Sequence, residues 1–169
     1  MKNCIPGKLW IIVWLLVGLA LMGAQEALAQ ESALPRTLVI GGSLEALLPL
    51  MIEDCERTQE LHYTGEQAAP FTDQVQVNCW GLDILGGSRK VEFMFNDGPL
   101  GHVWILVERE ELDDLRQSLA RSFGEVVYET DLDAVLASGT VAVRTRPAEI
   151  LVATPELISA LTGFRATEP

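Results

Sequence analysis

Apolar and polar residues alternate along two consecutive stretches in the middle of the chain, residues 74–80 and 90–95, and an apolar stretch follows at 100–107. Alternation with a period of two is typical of a strand that buries one face and exposes the other. Turn-forming residues separate the stretches, Gly-Gly-Ser at 86–88 and Asn-Asp-Gly at 96–98. The pattern therefore predicts a meander of three antiparallel strands.

Apolar residues three and four positions apart predict two amphipathic helices. The first follows Ser43, a residue suited to cap a helix, and its stripe consists of Leu44, Leu47, Leu48, Met51, Ile52 and Cys55. Pro49 interrupts this stripe, so we expect the helix either to kink there or to begin later. The second runs from Glu108 to Phe123 and ends at Gly124.

Shorter patterns complete the predicted fold. Residues 37–40 and 126–128 read as short strands, 58–72 as a polar loop, and 131–137 as one or two helical turns. Residues 140–145 and 150–153 predict a C-terminal β-hairpin, and Thr154-Pro155 predicts the start of a last helix that reaches about Leu161. The class is α+β, an antiparallel meander sheet packed on one face by two helices, with a C-terminal hairpin and a short helix.

The turn around residues 96–99 allows two registers. A two-residue loop would place Phe93 opposite His102, with both in the core. A three-residue loop is favoured, because the two-residue loop needs a backbone N–H donor at the residue after the turn, and Pro99 has no N–H. Its pairs are Phe95–Pro99, Phe93–Gly101, Val91–Val103 and Glu92–His102.

The favoured register sorts the strand residues onto two faces. The apolar face meets the helices and lets Cys55 reach Cys79. The other face mixes large aromatic with polar side chains, as binding hot spots do, and we expect it to bind a ligand or partner. The candidate residues are Gln76, Asn78, Trp80, Glu92, His102 and Trp104. The alternative is that the apolar C-terminal segment covers this face and makes Trp80 and Trp104 core residues.

The N-terminus has the three parts of a secretory signal peptide: Lys2 and Lys8, a 14-residue apolar run from Leu9 to Met22, and Ala-Leu-Ala at 27–29. The run is shorter than the roughly 20 residues of a membrane anchor. Cys4 precedes the run, whereas a lipid-acceptor cysteine follows it. We therefore expect cleavage after Ala29, a single domain over residues 30–169, no stable membrane anchor afterwards, and a periplasmic or extracellular location.

The chain is acidic, with a formal net charge of −12. Cleavage would remove Lys2, Lys8 and Glu26 and leave the domain slightly more acidic still. This balance excludes a nucleic-acid-binding domain, because phosphates require clustered basic residues.

Cys55 and Cys79 remain after cleavage, and a cysteine pair in an exported chain predicts a disulfide. A metal site or a catalytic thiol is the alternative. His62 is the one histidine between the two cysteines, and C-x-x-C spacing is absent, which disfavours a metal.

Catalytic chemistry has weaker support in the sequence. His102 with Glu92 could form an acid/base pair, but no G-x-S-x-G elbow supplies a nucleophile. Phosphate-loop motifs are absent, and the acidic residues at 108–114 lack a calcium-loop pattern. We therefore expect no cofactor and no metal.

Three functions remain open. The favoured one is a small exported, non-enzymatic domain that binds an unknown protein or small molecule. The alternatives are a small envelope hydrolase that uses His102 with Glu92, and a structural envelope protein that self-associates through the edge of its sheet.

Overall fold

The computed structural model describes residues 35–164. The predicted signal peptide and its cleavage site lie outside these residues. The described part contains three α-helices and eight strands. In chain order they are α1 (Leu44–Asp54), β1 (Arg57–Thr64), β2 (Asp73–Ile84), β3 (Gly87–Asn96), β4 (Leu100–Leu106), α2 (Leu112–Phe123), β5 (Val126–Glu129), β6 (Asp133–Leu136), β7 (Val141–Thr145), β8 (Ala148–Ala153) and α3 (Pro155–Thr162). Short 3₁₀ turns lie at Gly65–Gln67 and Arg109–Glu111.

All eight strands form one antiparallel sheet in the order β1-β2-β3-β4-β8-β7-β6-β5. The sheet consists of two four-stranded meanders, which meet in the middle where β4 pairs with β8. The predicted α+β class is confirmed, and so is the C-terminal hairpin, formed by β7 and β8.

Helices α1 and α2 cover the first face of the sheet. Their buried side chains pack on fully buried strand residues to form the main core, whose members include Leu47, Met51, Val77, Val91, Phe93, Val103, Ile105, Leu112, Leu119 and Ile150. Ser43 caps α1, its hydroxyl accepting the amide N–H of Ala46. The helix begins directly after Ser43 and runs through Pro49, so the possibility of a later start is wrong.

The short helix α3 covers the second face, but only over the C-terminal meander. Ile158 packs there with Val135, Ala142, Leu151 and Ala153. The start and end of α3 are as predicted: the Thr154 hydroxyl accepts the amide N–H of Leu157, Pro155 opens the helix, and Gly163 closes it in the left-handed conformation. Strand β8 is therefore buried on both faces, which explains its continuous apolar run.

The predicted register of the β3–β4 hairpin is wrong by two residues. Glu92 lies opposite Trp104, and Met94 lies opposite His102. The shift has a local cause: Phe95 pairs with Leu100, and the register then slips between Met94 and Phe95. Because a slip of two residues preserves the side of each side chain, the predicted division into two faces still holds.

Three other segments differ from their predictions. Residues 37–40 form turns rather than a strand. The predicted loop at 58–72 contains β1, an edge strand whose polar side chains hide its alternation. The predicted helical turns at 131–137 are mostly β6, a strand buried on both faces, whose short apolar run has no period that separates strand from helix.

A disulfide joins Cys55 to Cys79 and ties the end of α1 to β2, with the two Cα atoms 5.6 Å apart. The predicted pairing of these two cysteines is confirmed. As expected, Cys55 lies at the end of the helix that packs on the first face of the sheet. Within residues 35–164, no helix is both long and apolar enough to span a membrane.

Candidate binding face

The second face of the N-terminal meander brings the predicted site residues together. Two rows of side chains cross the four strands, one of Gln59, Asn78, Glu92 and Trp104, the other of Leu61, Gln76, Met94 and His102. Trp80 lies beside the first row on β2, opposite Arg57. We call this surface, formed by the second-face residues of β1 to β4, the open face.

Amide and phenol side chains form hydrogen-bonded chains across the open face. The Tyr63 hydroxyl donates to Gln76 Oε1 (3.3 Å), and Gln76 Nε2 donates to Asn78 Oδ1 (2.8 Å). Gln74 Nε2 donates to Asn96 Oδ1 at 2.8 Å. Asn78 and Asn96 are buried, so these bonds satisfy polar atoms that would otherwise be costly. The polar groups of the face are therefore held in fixed positions before any ligand arrives.

Trp80 lies half-buried between two cations. The Arg57 guanidinium stacks 3.7 Å from the centre of the indole ring, and the Lys90 ammonium lies 5.5 Å from it. Lys90 is paired with Glu92 at 2.5 Å. Arg57 is exposed and forms no ion pair with another residue of the described part of the chain. Its donors are thus free while its position is set by the ring.

Trp104 marks the border between the open face and the part covered by α3. Its ring packs against the α3 cluster on one side and meets His102 edge-on, with the ring centroids 5.9 Å apart. The Arg144 guanidinium lies 4.3 Å from the ring centre. Trp104 therefore has a structural role as well as a place on the face.

Arg144 is held between two carboxylates from neighbouring strands. Its Nε lies 3.1 Å from Asp133, and its Nη1 lies 3.0 Å from Glu149. Burial raises the pKa of Glu149, and the attraction of Arg144 partly offsets that effect. Because Arg144 is bound by two carboxylates, it differs from Arg57, which is exposed and forms no ion pair within the described residues.

His102 is buried, and that burial lowers its pKa to about 4. Its Nδ1 lies 3.3 Å from Asn96 Nδ2, so with the amide as donor the ring accepts there. The proposed Glu92–His102 pair does not form: Glu92 binds Lys90, and the residue opposite His102 is Met94. A neutral ring without a carboxylate is poorly suited to general acid or base catalysis near pH 7.

Two depressions lie elsewhere on the molecule. One, of about 540 Å³, is bordered by Arg89, Lys90, Glu108 and Glu111. There the Arg89 guanidinium donates to the carbonyls of Ile84 and Leu85 and binds Glu111 at 2.7 Å, which fastens the β2–β3 turn to the start of α2. The other, of about 430 Å³, lies between α2 and β5. Among residues 35–164, no group of three or more His, Cys, Asp or Glu side chains is placed to hold a metal ion.

Sequence reasoning missed Arg57, Tyr63 and Arg144 as members of the second face. Arg57 and Tyr63 belong to β1, which its polar composition disguised as a loop. The available signal for a strand here was the alternation of Gln59, Leu61 and Tyr63 with charged or hydroxyl residues. The local sequence pattern could not predict that Arg144 lies on the second face, because its position depends on β8 and β7 extending the same sheet.

Comparison with protein-family models, curated proteins and solved structures finds no match to this chain.

Proposed function

We propose that the protein is an exported, non-enzymatic binding domain that captures its partner on the open face. The observation that carries this proposal is the stack of Arg57 on Trp80, an exposed cation with free donors above a half-buried indole. Tryptophan and arginine are the residue types most enriched where binding energy is concentrated.

The distribution of cover over the second face supports this assignment. Helix α3 packs on the C-terminal meander, whereas Trp80, Tyr63, Gln76, Lys90, Glu92 and Trp104 all reach the surface of the N-terminal meander. The hydrogen-bonded amides between them are already ordered. A partner would therefore bind there with little further loss of side-chain freedom.

The local charge indicates what the partner presents to Trp80. The whole chain is strongly acidic, yet Arg57 and Lys90 both lie at this ring, and of these two cations Lys90 is paired with Glu92. A planar guanidinium with free donors matches a carboxylate in two parallel hydrogen bonds. We therefore expect the partner to place a carboxylate on Arg57.

Export is supported by the disulfide, since such bonds persist in oxidising compartments. The hydrolase alternative has less support, because His102 is buried, neutral near pH 7 and separated from the carboxylate that it would need.

The test is affinity capture by the immobilised protein from the envelope of its own cells, with the parent compared with Trp80→Ala and Arg57→Ala. We expect the partner that the parent retains to bind each variant at least about tenfold more weakly, the loss typical of a binding hot spot. Arg121→Ala is the matched control, since Arg121 is an equally exposed arginine on α2, away from the open face.

Binding that survives both substitutions, or that falls equally in Arg121→Ala, contradicts the proposal. Circular dichroism melting of each variant is measured alongside. Trp80 is partly buried and stacked by Arg57, so Trp80→Ala should lower the melting temperature, whereas Arg57→Ala removes an exposed side chain and should leave it nearly unchanged. Loss of binding in the stable Arg57→Ala variant is therefore the decisive result.

A further inference from the structure

The two edge strands of the sheet differ in how well they are protected against pairing with a strand of another molecule. One edge is β5, which has four residues, a register shift between Val126 and Tyr128, and the Arg116–Glu129 ion pair. The other is β1, which has eight residues and pairs with β2 without a shift. Natural sheets blunt their free edges with bulges, proline or short strands. Edge β5 is protected in this way, whereas β1 is long and regular and carries two charged residues, Arg57 and Glu60, as its protection.

Within the described part of the chain, the backbone groups on the outer side of β1 have no partner. Strand β1 is the terminal strand of the sheet, and none of its backbone groups bonds to a loop or turn within residues 35–164. Its side chains are mostly polar and form no apolar pocket of the kind that gives strand-binding domains their sequence preference. The geometry points to a second copy of this chain as the occupant, with two β1 strands pairing antiparallel about a two-fold axis.

Symmetry restricts the register of such a pair. An antiparallel two-fold pair joins residues that lie on the same side of the sheet, so odd-numbered residues face odd and even face even. Two registers then overlap nearly the whole strand, one centred on Glu60 and the other on Leu61.

Charge selects between the two registers. Centring on Glu60 places that carboxylate directly opposite its own copy, which is repulsive. Centring on Leu61 places Glu60 opposite His62, and Gln59 opposite Tyr63, twice each. Within one copy the two groups are already neighbours, with His62 Nε2 3.7 Å from Glu60 Oε2. The dimer would surround each carboxylate with two imidazoles, so the Leu61-centred register is the one we infer.

In this dimer the two open faces lie on the same side of one continuous sheet. The inference does not depend on the proposed ligand: the dimer uses the outward backbone groups of β1, whereas the ligand would contact the side chains of Trp80 and of Arg57, the first residue of β1.

Sedimentation velocity of the full chain over a series of concentrations tests the association. We expect a monomer–dimer equilibrium in the parent. His62→Glu places like charges opposite each other at two symmetric positions and should weaken dimerisation about tenfold. Adding Glu60→Lys to His62→Glu restores opposite charges and should restore the dimer. A parent that stays monomeric overturns the proposal, and so does a dimer that ignores both changes.

Crosslinking tests the register separately, with Cys4→Ser as the background so that the introduced thiol is the unpaired one. Leu61→Cys should form an intermolecular disulfide on mild oxidation, because residue 61 faces its own copy. Glu60→Cys is the matched control and should crosslink far less. The reverse result would show the Glu60-centred register, and no crosslinking of either variant in a dimeric protein would place the interface away from β1.

Discussion

His102 shows how a single side chain changes its chemistry with its surroundings. Water-exposed histidines titrate near pH 6.5, but burial among the strands lowers the pKa of His102 to about 4. The ring then serves as a hydrogen-bond partner of Asn96 and an edge contact of Trp104. His102 therefore contributes to packing and, through its contacts with Asn96 and Trp104, to the order of the open face.

This depressed pKa predicts a loss of stability in acid. In the unfolded chain the pKa of His102 is near 6.5, so between pH 6.5 and 4 the unfolded chain is protonated at His102 while the folded protein is not. The free energy of unfolding therefore falls as the pH drops toward 4. The loss reaches at most about 3 kcal/mol. Urea unfolding of the parent and His102→Gln between pH 4 and 7 measures it, and the variant should show the shallower decline.

Gln117→Ala is the control for this experiment, because Gln117 is uncharged and exposed on α2. Its pH profile should match that of the parent. If His102→Gln also keeps the parent profile, the neutral buried state of His102 is wrong.

Arginine side chains on the second face illustrate the same dependence on context. Arg57 and Arg144 both stack on tryptophan, but Arg144 is bound by two carboxylates while Arg57 has none within the described residues. The two stacks therefore differ in kind: Arg144 is fixed by two ion pairs, whereas the guanidinium of Arg57 is exposed.

At the scale of elements, the disulfide and the caps hold the helices in place on the sheet. Cys55 follows the last turn of α1, and its bond to Cys79 fixes that end of the helix on β2. Helix α1 contains Pro49 and so lacks one of its backbone hydrogen bonds. Attachment by the disulfide compensates for a helix that is intrinsically weak.

Removal of the disulfide should cost about 3 kcal/mol of unfolding free energy, the amount expected for a loop closed over 24 positions. Denaturant unfolding of the Cys55→Ala, Cys79→Ala double variant measures this. Reduction of the native protein should add the mass of two hydrogens, and Cys4→Ser should leave both results unchanged. Free thiols at Cys55 and Cys79 in the native protein would refute the pairing.

The elements that periodicity predicted well are those with one buried face, such as β2, β3 and α2. Those it misassigned are β1, which is mostly polar, and β6, which is mostly apolar. Period-based reasoning needs a contrast between two faces; β6 provides none, and β1 provides a weak one in Leu61 and Tyr63. The candidate site was affected in the same way, since Arg57 and Tyr63 were hidden with β1.

At the scale of the whole molecule, the pairing of β4 with β8 joins two local meanders into one sheet. The paired strands are separated in sequence by α2 and three further strands, whereas every other strand pair of this sheet joins sequence neighbours. Among the strand pairs of the sheet, pairing over this distance carries the largest loss of chain entropy. Helices on both sides of β8 supply the burial that offsets it.

Hydrogen exchange should report this arrangement directly. We expect amides of β8 and of the β4 positions that face it to exchange only through global unfolding, because they lie at the buried centre of the sheet. Amides of β5, a short and half-exposed edge strand, should exchange by local opening at least about tenfold faster. Mass spectrometry of peptides from the exchanged protein measures both. Equal protection of β5 and β8 would contradict the central role of β8.

The sequence by itself determined which side chains share a face, where the capped helices begin and which cysteines pair, because these depend on local periodicity and on short-range chemistry. Only the tertiary structure decided that β1 is a strand, that β8 lies beside β4, and that α3 covers the C-terminal meander on the second face while Trp80 and Trp104 stay partly exposed. Those features depend on contacts between residues distant in sequence, whose energies no local pattern records. The separation of Trp80, with its exposed arginine, from Trp104, anchored at the border of the α3 cluster, is the result that matters most for function.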